Sequence, residues 1–315
     1  MTVHLSLFSP KPWALALTLS VFACSPTDKQ NVQTSPQQVS SGPQLLEGKN
    51  SRLDIYKKVS LTADLSTYSQ AQRDMLKLLI EASSIMDDLF WRQAFGDHKD
   101  SFLASIDDPK VREFANINYG PWDRLAGDSV FLTNTIEKPL GAQFYPADMT
   151  KAEFERAEFS DKTGLYSMVS RDAAGKLVAI PYSEAFKDEL TEVAALLEKA
   201  ALLAEDKSFA HYLKLRAKAL LSNDYQPSDF AWMDMKTNPI ELVIGPIETY
   251  EDQLFGYRTA FEAYVLLKDL SWSEKLSKYA AFLPELQTGL PVDDKYKAQM
   301  PGTDADLNAY DVIYY

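Results

Sequence analysis

The chain has 315 residues, 46% hydrophobic and 24% charged, enough for one large domain or two small ones around a buried core. Its 45 Asp and Glu outweigh its 32 Lys and Arg, giving a net charge of −13; this argues against a nucleic-acid partner, because phosphate binding needs clustered cations. The one cysteine, Cys24, excludes an intrachain disulfide.

Cys24 closes an N-terminal targeting pattern. Lys11 supplies a modest positive charge, and Trp13 to Phe22 form an apolar run of signal-peptide length, too short to span a bilayer. Val21, Phe22, Ala23 and Cys24 resemble a bacterial lipobox, which implies lipidation at Cys24 and an envelope location on the periplasmic side. Ser25 after the cysteine, where an aspartate would signal inner-membrane retention, points to the outer membrane. Residues 25–50 are rich in Ser, Gln, Pro and Asn, and read as a flexible tether. A single domain is expected over 51–315.

Apolar residues at helical spacing predict a long helix from Ser69 to Phe95, with Gly96 as its C-terminal cap. Asp108 to Asn116 reads as a shorter helix with Pro109 in its first turn. Asn118–Trp122 is turn chemistry, and Val130–Thr133 a short strand. Thr150 and Glu153 form a capping-box pattern that opens a helix to Glu158. Leu165–Ser170 and Leu177–Tyr182 flank a turn at Asp172–Gly175 and predict a hairpin. Helices follow at Glu184–Ala204 and Phe209–Leu221, with Pro227 closing that region. Pro239–Ile247 suits a strand bent at Gly245-Pro246, Phe261–Leu267 a strand or a helix start, and Ser273–Leu283 a helix stopped by Pro284. Gln287–Leu307 reads as loop. The pattern predicts an α+β fold, more helix than strand.

The usual catalytic constellations are missing. His4, His98 and His211 stand apart, no His-Glu-x-x-His pair occurs, and no Gly-x-Ser-x-Gly elbow, P-loop or dinucleotide fingerprint is present. Acidic groups do cluster: Glu248, Glu251, Asp252 and Glu262 lie among Tyr250, Phe255, Tyr257, Phe261 and Tyr264. Carboxylates beside aromatic rings can hold a peptide amine, although by composition alone a solvated charged face beside a core stripe explains them better. Asp229, Asp234 and Lys236 around Trp232 have the same standing.

Three groups of residues shift that balance: Trp232 to Pro239, Ile244-Gly245-Pro246-Ile247-Glu248-Thr249-Tyr250-Glu251-Asp252, and Phe255-Gly256 with Arg258 and Phe261-Glu262. Together they resemble dipeptidyl peptidase III. Ile85–Trp91, Asn118–Leu125 and Phe144–Lys151 look like a bacterial branch of the same peptidases. The resemblance implies a two-lobed zinc exopeptidase that removes dipeptides from oligopeptide N-termini. This chain would be the non-zinc lobe, mostly helical with a small β-barrel or sheet core. Glu248 and Tyr250 would contact the substrate's N-terminal part, and the zinc ligands would follow the final strand-like run Asp311–Tyr315. No catalytic or metal-ligating residue is therefore expected within the chain, which by itself should lack peptidase activity. The competing expectation is a non-catalytic, peptide-binding envelope lipoprotein, or a structural one.

Overall fold

The computed structural model describes residues 42–298 and 307–315. The targeting segment, Cys24 and most of the expected tether lie outside the described residues. Gln44–Leu46, assigned by composition to the tether, instead pair with Phe131–Thr133: Thr133 N donates to Gln44 O at 2.8 Å and Leu46 N to Phe131 O at 2.9 Å. The body thus begins earlier than the expected boundary near residue 50.

Helix α1, Gln70–Ala94, is the long amphipathic helix read from the sequence. Ser69 caps it: its hydroxyl accepts from Gln72 N at 3.1 Å, and Gln72 Oε1 accepts from Ser69 N at 2.9 Å. Its inner stripe buries Met75, Leu79, Ala82, Met86 and Leu89. α2 (Lys99–Ala104) and α3 (Pro109–Ile117) follow, α3 with Asp108 as cap and the proline in its first turn. The two-residue strands β1 (Trp122–Asp123) and β2 (Ser129–Val130) pair antiparallel. α4 (Lys151–Arg156) starts at the Thr150 cap, and β3 (Ser167–Arg171) with β4 (Leu177–Pro181) form the expected hairpin.

After the single turn α5 (Tyr182–Ala185), helices α6 (Lys187–Leu203) and α7 (Lys207–Ser222) stack beside α1. Pro227 does not close this region. It sits in the first turn of α8, Gln226–Asp234, where its missing N–H leaves no bond unmade. Strands β5 (Ile240–Glu248), β6 (Ala260–Asp269) and β7 (Ala309–Tyr314) form an antiparallel sheet in the order 5-6-7, which decides the ambiguous Phe261–Leu267 segment for strand. Pro284 likewise opens a helix: α9 ends at Ala280, and α10, Leu283–Thr288, carries the proline in its first turn and extends into the segment read as loop.

The fold is a mixed helix-and-sheet arrangement. α1 covers one face of the sheet and α7 meets β5, while α6 packs onto both helices; Leu242, Ile244, Phe261, Ala263, Val265 and Leu267 face this helix layer. Among the described residues the sheet is open, with no closed barrel. A smaller core joins Ile106, Val111, Phe114, Phe131 and Leu132, sealed by Leu45, Leu53 and Tyr56.

Candidate functional site

β5 and β6 pair regularly from Ile240↔Leu267 to Pro246↔Phe261, and then Glu248 stands opposite Ala260. Ile247 is therefore an extra residue, a β-bulge. Opposed residues share a face and alternate residues change faces. The bulge consequently puts Glu248 on the face of Ala260, Glu262 and Tyr264, away from the helix layer. Without it, Glu248 would lie opposite Thr259, on the covered side.

β7 pairs with β6 only from Val265 to Asp269. At the open end of that side, the buried Gln93 of α1 stands in for a strand: Phe261 N donates to its Oε1 at 2.8 Å, and its Nε2 donates to Thr259 O at 3.3 Å. Beside this edge lie two adjoining hollows of 160 and 150 Å³, which share Phe90 and Glu262. The first is lined further by Asp87, Tyr119, Tyr264 and Tyr314; the second by Arg124, Glu248, Tyr250 and Glu251.

The four clustered carboxylates have different fates. Asp252 is 2% exposed and organises the β5–β6 connection. Its Oδ1 accepts from Leu254 N and Phe255 N, both at 3.2 Å; its Oδ2 accepts from Tyr257 N at 2.9 Å, Arg258 N at 3.1 Å and the Tyr145 hydroxyl at 2.7 Å. Gly256, at φ +69°, lets the turn close, its N–H bonding Asp252 O at 2.9 Å. Glu251 is 5% exposed and is held by Arg124 and Lys138. Burial pushes its carboxyl up, but the two cations outweigh that and hold it below its ordinary value.

Glu248 and Tyr250 are the exposed members, Tyr250 81% exposed. Glu262 lies between the hollows. Burial raises its pKa above 4.5; the Tyr264 hydroxyl, 3.2 Å away, opposes the shift, and the Glu248 charge adds to it. Asp87 is raised by burial too, against the Tyr119 hydroxyl at 2.6 Å and Lys99. Tyr314 is pushed up to about 12 by burial and by Asp87 and Asp88. The site is an acidic, aromatic groove; of the cations beside it, Arg124 and Lys138 are engaged by Glu251 and Lys99 by Asp87 and Asp88.

The sequence brought Glu248, Tyr250 and Glu262 to attention, and the fold gathers them. Asp87, Phe90, Tyr119 and Arg124 were missed as site residues, although the segments containing them carried part of the resemblance. Elsewhere Asp229 is paired with Arg216, and Trp232 sits half-exposed on α8. His98 and His211 are exposed on the helical periphery. Among the described residues no three His, Cys, Asp or Glu side chains converge as metal ligands. These residues do not fit the zinc that the resemblance implies.

The architecture around this groove is that of dipeptidyl peptidase III. The chain is similar to the structure of that enzyme from Caldithrix abyssi, with 39% identity and a TM-score of 0.74 over 80% of this chain and 50% of the other. The enzyme from Corallococcus sp. strain EGB gives 32% identity and a TM-score of 0.73 over 82% and 50%. Nudix hydrolase 3 of Arabidopsis thaliana is 30% identical over 308 residues, 78% of this chain and 40% of that protein. The chain therefore spans about half the length of the solved relatives it matches. Residues 149–315 match peptidase family M49, and the chain belongs to that family.

Proposed function

We propose that this chain is the substrate-docking half of a zinc-dependent exopeptidase that releases dipeptides from the N-termini of oligopeptides. The observation that carries the reading is the placement of Glu248, Tyr250 and Glu262 around one groove at an incompletely paired stretch of β6. A peptide laid extended along the part of this edge that Gln93 does not occupy would use main-chain hydrogen bonds, which tolerate varied sequence. Its free ammonium would sit between Glu248 and Glu262, where charge-assisted bonds would relieve the repulsion between the two carboxylates. The Tyr250 hydroxyl would bond the substrate backbone. Anchoring the amine fixes how far along the peptide the cut falls.

In the same reading, β5 and β6 belong to a small barrel, and a second lobe of the enzyme holds the zinc. Residues 51–315 act as one docking domain, held at the cell envelope by a lipid on Cys24. Fractionation checks the anchor: the intact chain should follow the membranes and Cys24→Ser the soluble fraction. Equal partitioning of the two would refute it.

Calorimetric titration with tetra-alanine and with its N-acetylated form tests the docking. Loss of one charge-assisted bond corresponds to about tenfold weaker binding. That loss is expected for acetylation and for Glu248→Gln, with a smaller one for Tyr250→Phe. Protonation of Glu262 removes a partner of the ammonium. Affinity should thus fall as pH is lowered through its raised pKa, and hold above it. Equal binding of the two peptides would reject the proposed role of the groove.

A further inference from the structure

We propose that Glu251, clasped between Arg124 and Lys138, is a positioning residue: it pins the loop bearing Tyr250 to the Asn118–Arg124 turn, and so sets the width and direction of the groove. The inference rests on the docking reading for what the groove receives, and on separate observations for the pin itself.

Glu251 takes a two-pronged grip from Arg124, Nη1 to Oε2 at 2.8 Å and Nη2 to Oε1 at 3.1 Å, while Lys138 Nζ reaches Oε1 at 2.8 Å. The Glu251 and Lys138 side chains are each 5% exposed, so the contact is shielded from solvent and salt. Arg124 is itself immobilised. Its Nε donates to Asn118 O at 2.8 Å, and its guanidinium lies 5.2 Å from the Phe90 ring and 5.4 Å from the Tyr119 ring. Tyr119 in turn donates to Asp87 of α1. Gly120 keeps this turn tight: at φ +138° it has no room for a side chain, since a Cβ would stand 2.9 Å from the Trp122 ring. A second tie runs in parallel, with Gln253 Nε2 donating to Asp128 at 3.0 Å while Lys138 lies 3.5 Å from the same carboxylate.

Glu251 is thus the point where the β5–β6 connection meets groups fixed on α1. Its neighbour Tyr250 projects into solvent, and Phe90 and Arg124 form the opposite wall of the same hollow. Neutralising Glu251 would leave two cations facing each other across a shielded gap, and the loop would move to let water between them.

The test compares Glu251→Gln with the wild-type chain by amide hydrogen exchange and by tetra-alanine titration. Arg124→Met serves beside it, because it leaves a neutral Glu251–Lys138 pair if the first variant folds poorly. Exchange at residues 249–257 is expected to quicken about tenfold or more, with β5 and β6 amides unchanged within about twofold. Tetra-alanine affinity should fall while the contrast with the acetylated peptide narrows. Unchanged exchange in both variants, or a uniform rise along the whole chain, would overturn the proposal. Binding of tetra-alanine unaltered by both variants would overturn its effect on the groove and leave the docking reading standing. Local quickening in a chain whose wild type ignores tetra-alanine would uphold the pin and remove the docking reading.

Discussion

Asp252→Ala should lower the free energy of unfolding by about 4 kcal/mol, from hydrogen bonds to a charged acceptor worth roughly 1.5–3 kcal/mol each that do not add fully. The carboxylate takes four backbone N–H groups and a tyrosine hydroxyl, and it is buried. Alanine would orphan them together, and no side chain nearby is placed to replace five bonds. Asp252→Asn should lose less, because one oxygen remains to serve either the Leu254–Phe255 pair or the Tyr257–Arg258 pair. Urea denaturation reads both variants; the midpoint should fall with little change in slope. A loss below about 1 kcal/mol for the alanine variant would mean that the connection is held elsewhere.

Phe261→Ala is expected to cost a similar amount, about 4 kcal/mol, by a different route. Phe261 is 0% exposed, with its ring centroid 5.3 Å from that of Tyr182 and 5.5 Å from that of Phe186. It joins β6 to the helix layer, and truncation would leave a cavity between elements already tied through Gln93. Its backbone bond to Gln93 survives the substitution, so the loss measured by denaturation is a packing loss. Near-wild-type stability would show that α1 and the sheet can collapse onto each other, contrary to a core fixed by these rings.

Much of the fold was legible because its signals are local. The stripe Met75–Leu79–Ala82–Met86–Leu89 predicts α1 by spacing alone, and the turn Asp172–Gly175 between Leu165–Ser170 and Leu177–Tyr182 predicts the β3–β4 hairpin. The two prolines misled for a physical reason. The ring that prevents a helix from continuing also suits a first turn, and Pro227 and Pro284 occupy first turns. The acidic cluster was visible as composition, but its division was not. Glu251 is buried because Arg124, 127 positions earlier, meets it. Asp252 is buried because five donors surround it, mostly in the turn that it creates. Gln93 looks like any polar helix residue until the edge of β6, 168 positions later, is laid against it.

One extra residue in β5 has an effect out of proportion to its side chain. Replacing Ile247 alters a contact, whereas drawing it into regular pairing with Ala260 would turn all that follows by half a step and send the acid at 248 into oil. Variation among related chains at this spot should therefore be free in spelling wherever the kink itself is kept. A one-residue gap there would straighten the strand and still leave the acid facing the groove.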